Sequence, residues 1–215
     1  VMLSVSMDKH FFPRQFSERE LLIATHNKGK LREIAELVEP FGIKAIPPNE
    51  LNIPEPIENG MTFIENAKIK AQSAVINSGK ISLADDSGLV VPALDGAPGI
   101  YSARWAGPEK DFTAAMVRVN TELADKDRKA FFISALVLLW PDGHMEAFEG
   151  TVHGVLVWPP RGSLGFGYDP MFLPNGHNKT FGELTPNEKH MYSHRSDAFS
   201  QLAAACFSDR KRLIK

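Results

Sequence analysis

The run Ile81-Ser82-Leu83-Ala84 reads as a strand buried in a core, and it delivers two adjacent carboxylates, Asp85 and Asp86, into Ser87-Gly88-Leu89. Successive strand residues point to opposite faces, so at most one of the two aspartates faces any given cleft. A carboxylate at the end of an apolar strand is costly to bury unless a cation or hydrogen-bond donors meet it. Two readings follow. One is a hard-metal ligand or catalytic base; the other is a turn, because Asp, Ser and Gly are ordinary turn residues. A second block follows closely, Gly96-Ala97-Pro98-Gly99-Ile100-Tyr101-Ser102-Ala103-Arg104.

Around this segment the chain alternates strands and helices and then changes character. Leu21–Thr25 and Ile43–Ile46 read as strands, separated by a helix with Leu31, Ile34, Leu37, Val38 and Phe41 at helical spacing and Gly42 as its stop. Thr62 with Glu65 three residues on forms a capping box, opening a helix to about Ser78 whose inner face is Ile64, Ala67, Ala71, Ala74 and Val75. A helix is expected from about Asp111 to Ala124. Ala130–Trp140 is a long apolar strand, Pro141-Asp142-Gly143 a turn, and 144–149 and 151–157 alternate as strands. A last helix is expected over about 196–207. The pattern predicts an α/β fold, a mixed sheet with flanking helices forming two lobes around a central substrate cleft. Residues 1–20 lack periodicity and are read as an N-terminal extension to a single domain over 21–210.

Composition narrows the function. With 215 residues the chain can bury one substantial core. A formal charge of −2 gives no global attraction to nucleic acid or an anionic membrane, so an anion site must be local. The single cysteine, Cys206, excludes an intrachain disulfide and fits a reducing compartment, so a cytoplasmic protein is expected. No apolar run approaches the roughly 18 residues of a membrane span.

Four segments carry candidate chemistry. Thr25-His26-Asn27-Lys28-Gly29-Lys30 lies between a strand and a helix, where unpaired N–H groups and lysines suit phosphate; it also reads as a solvated turn. It is not a Walker A loop, because Ala24 stands at the first glycine position and Leu31 at the Ser/Thr position. Glu55, Glu58, Glu65, Asp85 and Asp86 form an acidic set suited to Mg²⁺, which takes one or two carboxylates plus phosphates and water; Glu65 has its capping role instead. Gly165-Phe166-Gly167-Tyr168-Asp169 offers backbone and rings to a flat ligand, although Pro170 breaks a dinucleotide fingerprint. Lys189-His190-Met191-Tyr192-Ser193-His194-Arg195 offers cations to a phosphate or a base edge, or is an ordinary helix start.

These segments, in this order from about Leu21 to Phe207, resemble the inosine triphosphate pyrophosphatase family, enzymes that hydrolyse non-standard purine nucleoside triphosphates. The resemblance implies a homodimer, Mg²⁺ dependence, and conversion of a triphosphate such as ITP, dITP or XTP to the monophosphate and pyrophosphate. It places the triphosphate on Thr25, His26, Asn27, Lys28, Gly29 and Lys30. Asp86 becomes the proton acceptor and a metal ligand, and Ser87 touches substrate. Phe166, Gly167, Tyr168 and Asp169 line the nucleoside pocket, which Lys189, His194 and Arg195 complete. The family pattern has paired acids before the Thr-Gly of the loop ahead of the capped helix. Here Ile57-Glu58-Asn59-Gly60 lacks the first, leaving Glu58, or else Glu55, as the second metal ligand. Competing readings are a pyrophosphatase for pyrimidine or other modified nucleotides, a nucleic-acid-binding module using Lys28, Lys30, Lys189 and Arg195, and a silent nucleotide sensor. The net charge argues against the second.

Overall fold

The computed structural model describes residues 12–210. In chain order the elements are β1 (Glu20–Ile23), α1 (Lys28–Val38), β2 (Lys44–Ile46), α2 (Phe63–Ser78), β3 (Ser82–Val90), α3 (Ser102–Trp105), α4 (Phe112–Leu123), β4 (Lys129–Leu139), β5 (Met145–Leu156), β6 (Phe172–Pro174), α5 (Pro186–His190) and α6 (His194–Cys206). The strands form one sheet in the order β2-β1-β3-β4-β5-β6. β1 runs parallel to β2 and β3, and the remaining pairs are antiparallel. Parallel neighbours need long crossovers, which α1 and α2 supply, whereas the β4–β5 pair closes through the short Pro141-Asp142-Gly143 turn. This is the mixed α/β sheet expected from the sequence.

Alternation along the strands assigns the faces. Leu21, Ile23 and Leu83 pack with Ile34 of α1 and Leu202 of α6 on one side. Leu22 and Ala84 pack with Ala67, Ala71 and Ala74 of α2 on the other. A third apolar cluster, including Leu89, Val119, Phe132, Phe172 and Phe181, gathers beyond the far ends of β3 and β4. β3 runs from the first two clusters into the third, pairing Ser82 with Leu139 and Val90 with Phe131. Its middle, Asp86 to Gly88, therefore crosses the junction between two packed regions, and the cleft opens there.

Three expectations need correction. Asp85, Asp86, Ser87 and Gly88 do not turn; they continue β3, because each pairs across to β4 from Leu136 to Ile133. Cross-strand pairing overrides the local turn preference. β5 is one strand rather than two. Packing also begins before residue 20. Phe16 is 2% exposed inside the α1/α6 cluster, its N–H donates to the Cys206 carbonyl at 2.8 Å, and its own carbonyl accepts from Arg210 Nε at 3.0 Å. Residues 1–11 of the expected extension lie outside the described residues. No helix among the described residues is long and apolar enough to cross a membrane.

Candidate active site

A cleft of about 990 Å³ lies at the β3 junction, within the size range of small-molecule sites. It gathers residues from both packed regions. Thr25, His26, Asn27 and Lys30 come from the start of α1, Glu55 to Asn59 from the segment before α2, and Asp86 to Leu89 from β3. Across from them stand Arg104, Lys110, Phe112, Phe166 to Asp169, Lys189, His194 and Arg195. Of the residues picked from the sequence, Lys28 and Gly29 do not line it. Lys28 is exposed, and Gly29 lies beneath the Phe166 ring, where a Cβ would sit 2.5 Å from ring carbon Cδ1.

The α1 start presents a capped helix N-terminus to the cleft. Asn27 caps the helix, its side chain accepting from Lys30 N at 3.0 Å, while its own N–H donates to Thr25 Oγ1 at 3.2 Å. His26 Nε2 lies 3.0 Å from the Ile53 carbonyl and so ties this turn to the segment before α2. The remaining first-turn amides have no partner within the helix, and the dipole there favours negative charge.

The two aspartates diverge as the pleat requires. Asp85 turns toward α1 and α6, fully buried. It accepts from Ser134 Oγ at 2.6 Å, Ser87 Oγ at 2.9 Å and Arg195 Nε at 3.1 Å, and Lys30 Nζ stands 2.8 Å away. Burial pushes its carboxyl up, but Arg195 and Lys30 outweigh that and hold it well below the usual carboxylate range. Asp86 turns toward α2 and the cleft. Lys70 Nζ donates to its Oδ1 at 3.0 Å and stands 3.3 Å from Glu58 Oε2. Its Oδ2 is buried without a hydrogen-bond partner. Burial raises the Asp86 carboxyl, Lys70 and Lys30 oppose this without cancelling it, and Glu58 pushes it further up.

Glu33 and Lys70 complete the charge network and were not picked out from the sequence. Lys189 Nζ bridges Glu33 Oε1 at 2.8 Å and Asp169 Oδ2 at 2.7 Å. Arg195 Nη1 donates to Glu33 Oε2, and Arg195 Nη2 to Ser87 Oγ at 2.9 Å. Burial raises Glu33, but Arg195 and Lys189 prevail and bring it to about 2. His194 stacks on Phe132 at 4.9 Å between ring centroids, and its Nδ1 has no partner. Burial first, then Arg195 and Lys189, hold its pKa well below the ordinary histidine value, so it is neutral. Of the two candidate stacking rings, Tyr168 is committed to packing: its hydroxyl donates to the Ser102 carbonyl at 2.7 Å and its ring meets Phe112 edge-on. Phe166 is half-buried, with Lys189 Nζ 4.7 Å from its centroid.

No cluster of three or more His, Cys, Asp or Glu able to hold a metal occurs among the described residues. The Asp86–Glu58 pair nonetheless suits Mg²⁺, which takes few carboxylates and completes its shell with phosphate and water. The unpartnered Asp86 Oδ2 is the oxygen such an ion would satisfy. Glu55 lines the same cleft but is exposed and shares no cation with Asp86.

The molecule is thus an α/β protein whose cleft sets a helix N-terminus beside a carboxylate pair. The chain belongs to the Ham1 family, which it matches over residues 21–205. It is 59% identical over 200 residues to a dITP/XTP pyrophosphatase of Rhodospirillum centenum, covering 91% of this chain and 98% of the relative. It is 54% identical to the protein of that name in Zymomonas mobilis, covering 90% and 94%. Among solved structures, a HAM1 protein from Coxiella burnetii superposes with a TM-score of 0.79 at 39% identity, covering 87% of this chain and 98% of that one.

Proposed function

We propose that this chain is a nucleoside-triphosphate pyrophosphatase that hydrolyses non-standard purine triphosphates, ITP, dITP and XTP, to the monophosphate and pyrophosphate. The observation that carries the reading is the buried, unpartnered Oδ2 of Asp86 in the same cleft as the α1 start. Support comes also from relatives that bear the dITP/XTP pyrophosphatase name over nearly their whole length.

Phosphoryl transfer asks a protein chiefly for positioning and charge neutralisation. The amides of the α1 start and Lys30 hold the phosphates. Asp86, its carboxyl raised by burial, accepts the proton of the attacking water, which adds to the α-phosphorus as the bond to the bridging oxygen breaks and pyrophosphate leaves. Lys70, which donates to Oδ1, keeps the Asp86 carboxylate in place. Asp86 and Glu58 would hold Mg²⁺, which supplies neutralisation of charge on the phosphate oxygens. Phe166 stacks on the base, and Lys189, Arg195 and Asp169 meet its polar edge. Homodimeric assembly and a cytoplasmic setting belong to the same proposal and rest on the family resemblance.

The test incubates the full chain with ITP, dITP, XTP, ATP, GTP and pyrimidine triphosphates plus Mg²⁺ and identifies the products. Monophosphate and pyrophosphate from ITP, dITP and XTP in preference to the rest are expected. Release of orthophosphate and a diphosphate as first products refutes the cleavage site; a pyrimidine preference refutes the substrate class.

A further inference from the structure

We infer that Arg104 is a positioning residue that fixes Glu58 opposite Asp86 and thereby sets the affinity of the site for a divalent cation. The inference rests on the proposed role of the Asp86–Glu58 pair.

Glu58 lies on a stretch, 53–60, that has no helix or strand of its own. Such a segment does not hold a carboxylate in place unless other groups grip it. Two do. Lys70 stands at its carboxylate, and Arg104 Nη2 donates to its carbonyl. Lys70 is itself anchored on Asp86, so one grip is referred to β3.

The other grip is referred to β3 as well, by a different route. Arg104 lies in α3, and Ser102 fastens that helix to the strand. Ser102 Oγ accepts from Leu89 N at 2.9 Å and donates to the Gly99 carbonyl at 2.7 Å. The contact depends on Gly88, where a Cβ would run into the Gly99 carbonyl and lie 2.6 Å from Ser102 Oγ. From this base the Arg104 guanidinium lies over the Tyr101 ring at 5.0 Å and reaches Glu58. Asp86, Lys70, Glu58, Arg104, Ser102 and β3 therefore form a closed circuit in which the Asp86–Glu58 spacing is set from both sides. Outer groups that orient metal ligands typically change metal affinity by about 10- to 100-fold when removed.

Arg104 is exposed, so Arg104→Ala leaves no buried charge and should fold. The probe is Mn²⁺ titrated into the nucleotide-free full chain, followed by the electron paramagnetic resonance signal of free Mn²⁺. Arg104→Ala should weaken Mn²⁺ binding by roughly tenfold and raise by a similar factor the Mg²⁺ needed for half-maximal pyrophosphate release. The ITP-to-GTP preference should stay at the wild-type value, because the base-side residues are untouched. In a Glu58→Gln background the same change should have almost no further effect on Mn²⁺ binding, since coupled residues are not additive. Wild-type Mn²⁺ affinity in Arg104→Ala, or a full tenfold loss in the Glu58→Gln background, overturns the inference. A chain that binds Mn²⁺ as described yet releases no pyrophosphate from any triphosphate would instead refute the proposed function and leave the positioning role standing.

Discussion

Replacing Asp85 with Asn separates its role from that of its neighbour. Asp85 is fully buried and shares Arg195 with Glu33 while also facing Lys30. Removing one partner of a buried ion pair leaves an uncompensated charge, a loss of about 3–5 kcal/mol. Glu33 still faces Arg195, and the amide can still bond Ser134 and Ser87, which places the expected loss near 3 kcal/mol. For a domain of this size about 1 kcal/mol lowers Tm by roughly 2–4 °C, so Tm should fall by about 6–12 °C. Asp86→Asn should behave in the opposite way. Its folded-state carboxyl is already pushed toward protonation, and Lys70 retains Glu58, so Tm should move by only a few degrees. Its kcat should nevertheless fall by about 10²- to 10⁴-fold, the usual contribution of a positioned base. Thermal unfolding followed by circular dichroism, with pyrophosphate release measured well below the lower Tm, reads both quantities. An Asp85→Asn variant that melts with the wild type, or an Asp86→Asn variant that keeps near-wild-type kcat, would refute this division.

Gly29→Ala drives a methyl into the Phe166 ring. The ring must shift to make room, at an overpacking cost of about 1–3 kcal/mol; KM for ITP should rise with little change in kcat, by at most roughly 5- to 150-fold at about 1.4 kcal/mol per tenfold, measurable by steady-state kinetics. Acid titration of stability should show two stages. His194 is neutral when folded and takes up a proton on unfolding below about 6.5, so stability declines as pH falls below that value; His194→Gln should flatten this stage. Glu33 and Asp85, both depressed in the fold, stabilise it above their ordinary values near 4, and that contribution drains away as pH falls toward 2; urea unfolding at a series of pH values checks both stages. Phe16→Ala removes a buried ring from the α1/α6 cluster and should cost about 3–5 kcal/mol in urea unfolding, with the remaining activity unchanged per folded molecule.

What could be read from the sequence was what local chemistry decides. The Thr62 capping box is present, with Glu65 N donating to Thr62 Oγ1 at 3.1 Å and Thr62 N to Glu65 Oε2 at 3.2 Å, and the alanine stripe of α2 is its buried face. Misread features depended on partners distant in sequence. Asp-Asp-Ser-Gly has turn-forming residues, and only pairing with Ala135, Ser134 and Ile133 keeps it extended. Phe16 sits in no regular element; its anchors are Cys206 and Arg210, near the other end of the chain. Lys70 and Glu33 carried a weak signal. Lys70 falls between Ala67 and Ala74 on the inner stripe of α2, and Glu33 beside Ile34 on that of α1. A charge on an inner stripe marks a buried ion pair, but its partner emerges only with the fold.

On the proposed reading, this network also bears on base selectivity. Arg195 has five N–H donors, and the contacts to Asp85, Glu33 and Ser87 engage all but one of them. Lys189 spends two of its three on Glu33 and Asp169. Each cation is thus clamped by buried carboxylates and cannot swing away, so a single remaining donor on each stays aimed as the network sets it. A 6-oxo purine presents an acceptor to such donors. Adenine presents an amino group, and the site would be left with buried donors facing a donor. Mismatches of that kind discriminate far more strongly than a difference in size. The acids that hold Lys189 and Arg195 therefore matter as much to selectivity as the cations do. Glu33, which touches both, sits where the strength of that discrimination would be set.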